Sequence, residues 1–172
     1  MTRTCILATI AAACFIVGGP TTAADKDARF DDTDFIKKAA SAGMLEVELG
    51  KLGQTKGTRD EVKTFGERMV TDHTKANTEL MTVATAMGVT VPKSMSDKHQ
   101  KMYSHFKNYN GKNFDKDYMD HMVKDHDEDV AEFKKASQSA KNADLKAFAT
   151  KTLPVIEEHL KMAKDIQSSI KK

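Results

Sequence analysis

The sequence predicts an all-α protein, an antiparallel four-helix bundle whose long link contains a short extra helix. Apolar residues recur at three- and four-residue spacing over four long stretches, the signature of amphipathic helices. Glycine and proline are scarce beyond residue 24, so few positions can break those stretches. Two of the connections are short and one is long, which suits helices laid side by side.

The first helix is expected from residue 32 or 33 to residue 53, with cap residues in the Thr33 and Asp34 region and an apolar stripe through Phe35, Ala39, Leu45 and Leu49. A short turn follows at residues 54–57. Thr58 and Glu61 have the spacing of a capping box, in which each side chain satisfies a free backbone donor of the other residue. The second helix runs from there to about Met87, with Gly88 as its stop and Phe65, Met69, His73 and Leu80 inward. Residues 89–111 form the long link, opened by Pro92 and holding the short helix near residues 96–106. The third long helix spans about residues 114–137, with Tyr118, Met122, His126 and Phe133 inward, and the last spans about residues 144–170. Pro154 lies inside this last helix and deprives the Thr150 carbonyl of its partner, which predicts a kink. The long link suits the crossover topology of ferritin-like bundles; an up-down arrangement remains open.

The start of the chain reads differently. Arg3, the apolar run over residues 6–18 and the small residues ending at Ala24 form a secretory signal, so residues 1–24 are expected to be removed and residues 25–172 to form one domain. Lipid attachment at Cys14 is disfavoured, because no large aliphatic residue precedes it at the usual place. Export implies a periplasmic or cell-envelope location. Both cysteines, Cys5 and Cys14, leave with the signal, which excludes a disulfide scaffold and thiolate metal ligation in the mature chain. Charge is nearly balanced, with 27 basic and 25 acidic residues interspersed, and no basic stripe points to nucleic acid. No later stretch is apolar enough to cross a bilayer, and the sequence leaves self-association and protein partners open.

Candidate chemistry rests on three acid–histidine pairs, Asp72-His73, Asp125-His126 and Glu158-His159, each on its own helix. Adjacent helical residues point about 100° apart, so both members cannot face the axis. The imidazoles are expected inward, with Asp72, Asp125 and Glu158 at the helix flanks, where a carboxylate can orient a neighbouring helix's imidazole. At ~1.5 Å per residue, His73 lies about 25 Å and Glu46 about 15 Å from the first turn, and His126 and His159 about 22 and 28 Å from the second. All are then near mid-height. An up-down bundle clusters the histidines; a crossover brings Glu46 towards His126 and His159 and leaves His73 the outlier.

Ala42, Gly43 and Gly50 leave room around Glu46 on an otherwise apolar face, whereas Glu48 is less clearly inward. Imidazoles with a carboxylate suit zinc, iron or copper. The competing reading is that the pairs are core hydrogen bonds in a metal-free structural or stress-related envelope module. Ferritin-type iron oxidation is disfavoured, because Val70, Val123 and Ile156 stand where Glu-x-x-His would need glutamate. Met69, Met122 and Met162 lie one turn from a histidine and offer copper(I) thioethers, though methionine at this spacing also fills cores. His99, His105 and His121 fall off the main stripes and are expected in solvent. No nucleophile constellation and no phosphate loop is present, which argues against an enzyme. Met-Val-x-Asp-His recurs at residues 69–73 and 122–126, which fits either duplicated hairpins or convergence on one packing solution.

The segments Glu46-Val47-Glu48-Leu49-Gly50-Lys51-Leu52 and Asp72-His73-Thr74-Lys75-Ala76-Asn77, together with Asp125-His126 and Leu153-Pro154, resemble a bacterial envelope family, domain of unknown function 4142, whose members are often labelled outer membrane proteins. The resemblance implies a ferritin-like helical bundle and an envelope location, and brings no established activity. It does not imply a barrel, since strand alternation is absent.

Overall fold

The computed structural model describes Met1, residues 30–109 and residues 111–171. The expected signal segment, Met1 apart, lies outside the described residues. The described residues form five helices and no strand: α1 Asp32–Lys56, α2 Asp60–Ala86, α3 Asp97–Lys107, α4 Phe114–Ser139 and α5 Ala143–Ile170.

Helix ends follow local chemistry, with two departures from expectation. Asp31, rather than Thr33 or Asp34, caps α1, accepting from the backbone N–H groups of those two residues at 2.8 and 3.0 Å. The helix also runs one turn further than expected, to Lys56. The capping box does not form. Arg59 precedes α2 without a side-chain cap, and Asp115 of α4 takes the donors instead. Its carboxylate accepts from Thr58 N–H and Arg59 N–H at 2.9 Å each and from Thr58 Oγ1 at 2.6 Å. At the other hairpin Asp32, the first residue of α1, accepts from Lys141 N–H and Asn142 N–H at 3.1 and 2.8 Å. Each hairpin's turn is thus held by an aspartate opening the other hairpin. Gly88 stops α2 with φ of 67°, a backbone that only glycine adopts readily. Ser96 and Asn142 cap α3 and α5, and α5 continues through Pro154 as one helix.

Two apolar clusters fix the directions of the long helices. Phe35 and Ile36 of α1, Leu80 of α2, Phe133 of α4 and Leu145 of α5 share one cluster. Leu49 of α1, Phe65 of α2, Tyr118 of α4 and Ile166 of α5 share the other. The start of α1 therefore meets the end of α2, the end of α4 and the start of α5. It follows that α2 and α4 run one way and α1 and α5 the other, with the two hairpin turns at opposite ends. The connection holding α3 travels back along the molecule, and α3 packs against α1.

This layout gives α1 the role of α4, and α2 that of α5. The repeated Met-Val-x-Asp-His sits on α2 and α4, which are not equivalent in that scheme, so it does not mark a duplicated hairpin. The glycines serve helix approach rather than space at Glu46. A Cβ at Gly66 would come within 2.6 Å of the Gly50 carbonyl oxygen, and one at Gly43 would overlap the Asn77 side chain. No described helix is long and apolar enough to cross a membrane.

Candidate metal centre

Between the two apolar clusters lies a polar layer. Counted from helix ends that share one end of the molecule, His73 is about 20 Å up α2, His126 about 18 Å up α4, His159 about 16 Å from the end of α5 and Glu46 about 15 Å from the end of α1. All four fall within roughly one helical turn. The expectation that His73 would be the outlier fails because α2 begins only at Asp60, which brings His73 down from about 25 to about 20 Å, close to the heights of His126 and His159.

His73, His126 and His159 each offer a nitrogen within 4.8 Å of the others'. Their ring centroids are 5.9 Å (73–126), 5.3 Å (73–159) and 5.7 Å (126–159) apart. All three are buried, at 8, 0 and 1 % exposure. Hydrogen bonds settle two of the tautomers. His126 Nδ1–H donates to the Met122 carbonyl at 2.9 Å, which leaves Nε2 with a free lone pair. His159 Nε2–H donates to Asp72 Oδ2 at 2.9 Å, which leaves Nδ1 free. These two atoms, together with His73 Nε2, are buried and have no hydrogen-bond partner in the protein. Burial holds all three rings below the ordinary imidazole range, and neighbouring imidazoles add to the effect on His73 and His126; His126 falls to about 4. For His159 the Asp72 carboxylate opposes the shift. The result is three neutral rings, two of them with a lone pair fixed on the unpartnered nitrogen, and neutral imidazole is the state a metal requires.

The flanking acids behave individually. Asp72 of α2 orients the imidazole of α5, and Arg68 Nε donates to the same Asp72 oxygen at 2.8 Å. Glu158 makes no hydrogen bond to an imidazole among the described residues; it accepts from Arg68 at 2.8 Å on the exposed flank. Asp125 turns away from the triad and joins Glu46 and Asp129, each offering an oxygen within 4.8 Å of the others'. Glu46 is fully buried, yet no protein donor reaches either of its oxygens. Burial pushes its carboxyl well above the ordinary range, and Asp125 and Asp129 push it further. Burial raises Asp129 to about 8, with Asp125 contributing. Burial would raise Asp125 too, but the Glu46 carboxyl and the imidazoles of His121 and His126 hold it low. Glu46 therefore shares the height of the triad but groups with two aspartates of α4.

A profile of a domain of unknown function, DUF4142, matches residues 18–166. The chain belongs to the DUF4142 family. No curated protein and no solved structure matches it. Other histidines of this DUF4142 chain correct the expectation of solvent. His105 is exposed, but His99 is half-buried with Nδ1 2.7 Å from Ser41 Oγ, and His121 is half-buried with a buried, unpartnered Nε2. Met69 and Met122 are fully buried among the apolar residues below the triad. Asp129 went unnoticed at the level of sequence. Its signal was the Asp125-x-x-x-Asp129 spacing, which puts two carboxylates one turn apart on one face.

Proposed function

We propose that this protein is a four-helix bundle of the crossover, ferritin-like kind that binds one transition-metal ion through His73, His126 and His159 and serves binding or sequestration rather than catalysis. The observation that carries this is the set of three buried, unpartnered nitrogens facing one another. A buried acceptor without a donor costs about 1–3 kcal/mol, and a core has no reason to gather three of them. A metal at ~2.0–2.1 Å from each nitrogen would satisfy all three after a contraction of roughly 1 Å. Asp72 supplies the carboxylate that fixes His159, as such partners do at metal sites. A cavity of about 30 Å³ beside the triad, lined by His73, His159, Asp129 and Thr152, leaves room for a water as further ligand. Neutral imidazoles favour zinc, copper or iron. The signal-like start supports an exported, periplasmic setting.

The rival reading, a metal-free envelope module, takes support from the same Asp72–His159 bond, since acid–histidine pairs also stabilise cores. It leaves the buried, unpartnered Nε2 atoms of His73 and His126 without a purpose. Titration of EDTA-stripped protein with Zn²⁺ and Cu²⁺ separates the two. One ion bound per chain, lost in the His73→Ala/His126→Ala/His159→Ala variant, supports the metal site; equal binding by both proteins sinks it.

A further inference from the structure

We propose that Glu46, Asp125 and Asp129 form a second metal site, distinct from the imidazole triad, which takes an oxygen-ligated divalent cation of the Mn²⁺ and Ca²⁺ class. Asp125 and Asp129, one turn apart on α4, would by themselves be an ordinary solvated face. What makes them a site is Glu46, which reaches them from α1, a helix packed against α4. It is 0 % exposed, no N–H or hydroxyl of the protein reaches either of its oxygens, and its carboxyl meets only another acid, Asp125, with which it shares a proton when no cation is bound. No ion pair to Lys, Arg or His neutralises any of the three carboxylates among the described residues. The histidines nearby do not supply a hydrogen bond either: His126 gives its N–H to the Met122 carbonyl, His99 Nδ1 is engaged with Ser41 Oγ, and His121, whose charge Asp125 would feel, has a buried Nε2 without a partner. A buried acid aimed at two others, with no N–H or hydroxyl to receive, keeps its proton unless a cation takes that proton's place, and a divalent ion there satisfies all three carboxylates.

Access is built in. Asp125 and Asp129 line a cleft of about 670 Å³ between α1, the start of α3 and α4. Glu128 and Glu132 continue the acidic face of α4 into this cleft, while Lys37, Lys38 and Lys98 line it as well. Water from the cleft can complete the shell around a cation that holds Glu46 on its inner side. Asp129 also lines the small cavity beside His73 and His159, so the two sites lie on either side of one carboxylate. The donor sets differ in kind. Three carboxylates are hard ligands that suit Mn²⁺, Ca²⁺ or Mg²⁺, whereas three imidazoles suit zinc and copper. The second site stands whether or not the triad binds metal.

The test uses the full chain, stripped with EDTA, with Mn²⁺ binding read by electron paramagnetic resonance from loss of the free-ion signal. Wild-type protein is expected to bind one Mn²⁺ per chain, both alone and after loading with one equivalent of Zn²⁺. Glu46→Gln and Asp129→Asn, each checked for helicity by circular dichroism, should weaken Mn²⁺ binding by more than about tenfold while leaving Zn²⁺ stoichiometry intact. The triple histidine variant should lose Zn²⁺ and keep Mn²⁺. No Mn²⁺ binding by wild type, unchanged binding in both carboxylate variants, or loss of Mn²⁺ in the triple histidine variant would each overturn the second site. Loss of Zn²⁺ binding alone bears only on the triad.

Discussion

Replacing His126 by leucine should stabilise the metal-free protein while destroying its metal site. The ring is fully buried, and its Nε2 has no partner, which costs about 1–3 kcal/mol in the folded state. Leucine has a similar volume and removes that penalty; it also buries apolar surface beside Phe65, for a gain of about 2 kcal/mol. Against this stand the 2.9 Å bond from Nδ1–H to the Met122 carbonyl, about 1 kcal/mol net, and an imperfect fit of about the same size. The balance is a gain of roughly 2 kcal/mol, or about 8 °C in Tm for a domain of this size. Thermal melts in EDTA, followed by circular dichroism, measure it.

Adding Zn²⁺ at a hundredfold excess over Kd should then raise wild type by about 2.7 kcal/mol and leave His126→Leu unmoved, so the order of stability reverses. The gap is also pH-dependent. His126 falls to about 4 in the folded state against about 6.5 unfolded, so its neutral form adds stability above pH 6.5 that is lost as pH falls through 4. Leucine has nothing to titrate, so the variant's advantage should grow by about 3 kcal/mol between pH 7 and pH 4. A metal-free variant less stable than wild type by 1 kcal/mol or more would refute the reasoning and make the imidazole a structural hydrogen-bonding group.

Asp72→Asn keeps an acceptor for His159 Nε2–H but removes the charge, and should weaken Zn²⁺ binding by about 10–100-fold in competition with a chelating dye while changing metal-free stability by less than about 1 kcal/mol. Asp129→Asn should gain on wild type in metal-free melts as pH rises from about 4 to about 8. Its carboxyl is raised by folding, and that preference for the protonated form is progressively lost over this window. Asp115→Ala strips the Thr58 and Arg59 donors of their acceptor and should cost roughly 2–4 kcal/mol in denaturant unfolding. A loss below about 0.5 kcal/mol would mean that water replaces the carboxylate freely.

The helices were legible because inward residues such as Val62, Phe65, Met69, His73 and Leu80 of α2 recur with the helical period, and that period depends only on local chain geometry. The inward histidines followed from the same stripes, and Asp72 orienting a neighbouring helix's imidazole followed from the 100° offset within its pair. What escaped was long-range. Nothing local tells Thr58 that Asp115, far along the chain, competes with Glu61 for its donors. Glu46 was placed at the right height, but its company was set by how α1 faces α4, and axial distance carries no azimuth. His99 was misjudged for a similar reason, because its partner Ser41 lies on another helix.

The most direct test of the triad is X-ray absorption spectroscopy of wild-type protein loaded with one equivalent of Zn²⁺. Binding by His73, His126 and His159 predicts a first shell of nitrogen and oxygen at ~2.0–2.1 Å with outer-shell scattering from three imidazoles, a spectrum that His126→Leu, having lost the site, does not give. A shell without imidazole scattering, or one unchanged by that substitution, would contradict it.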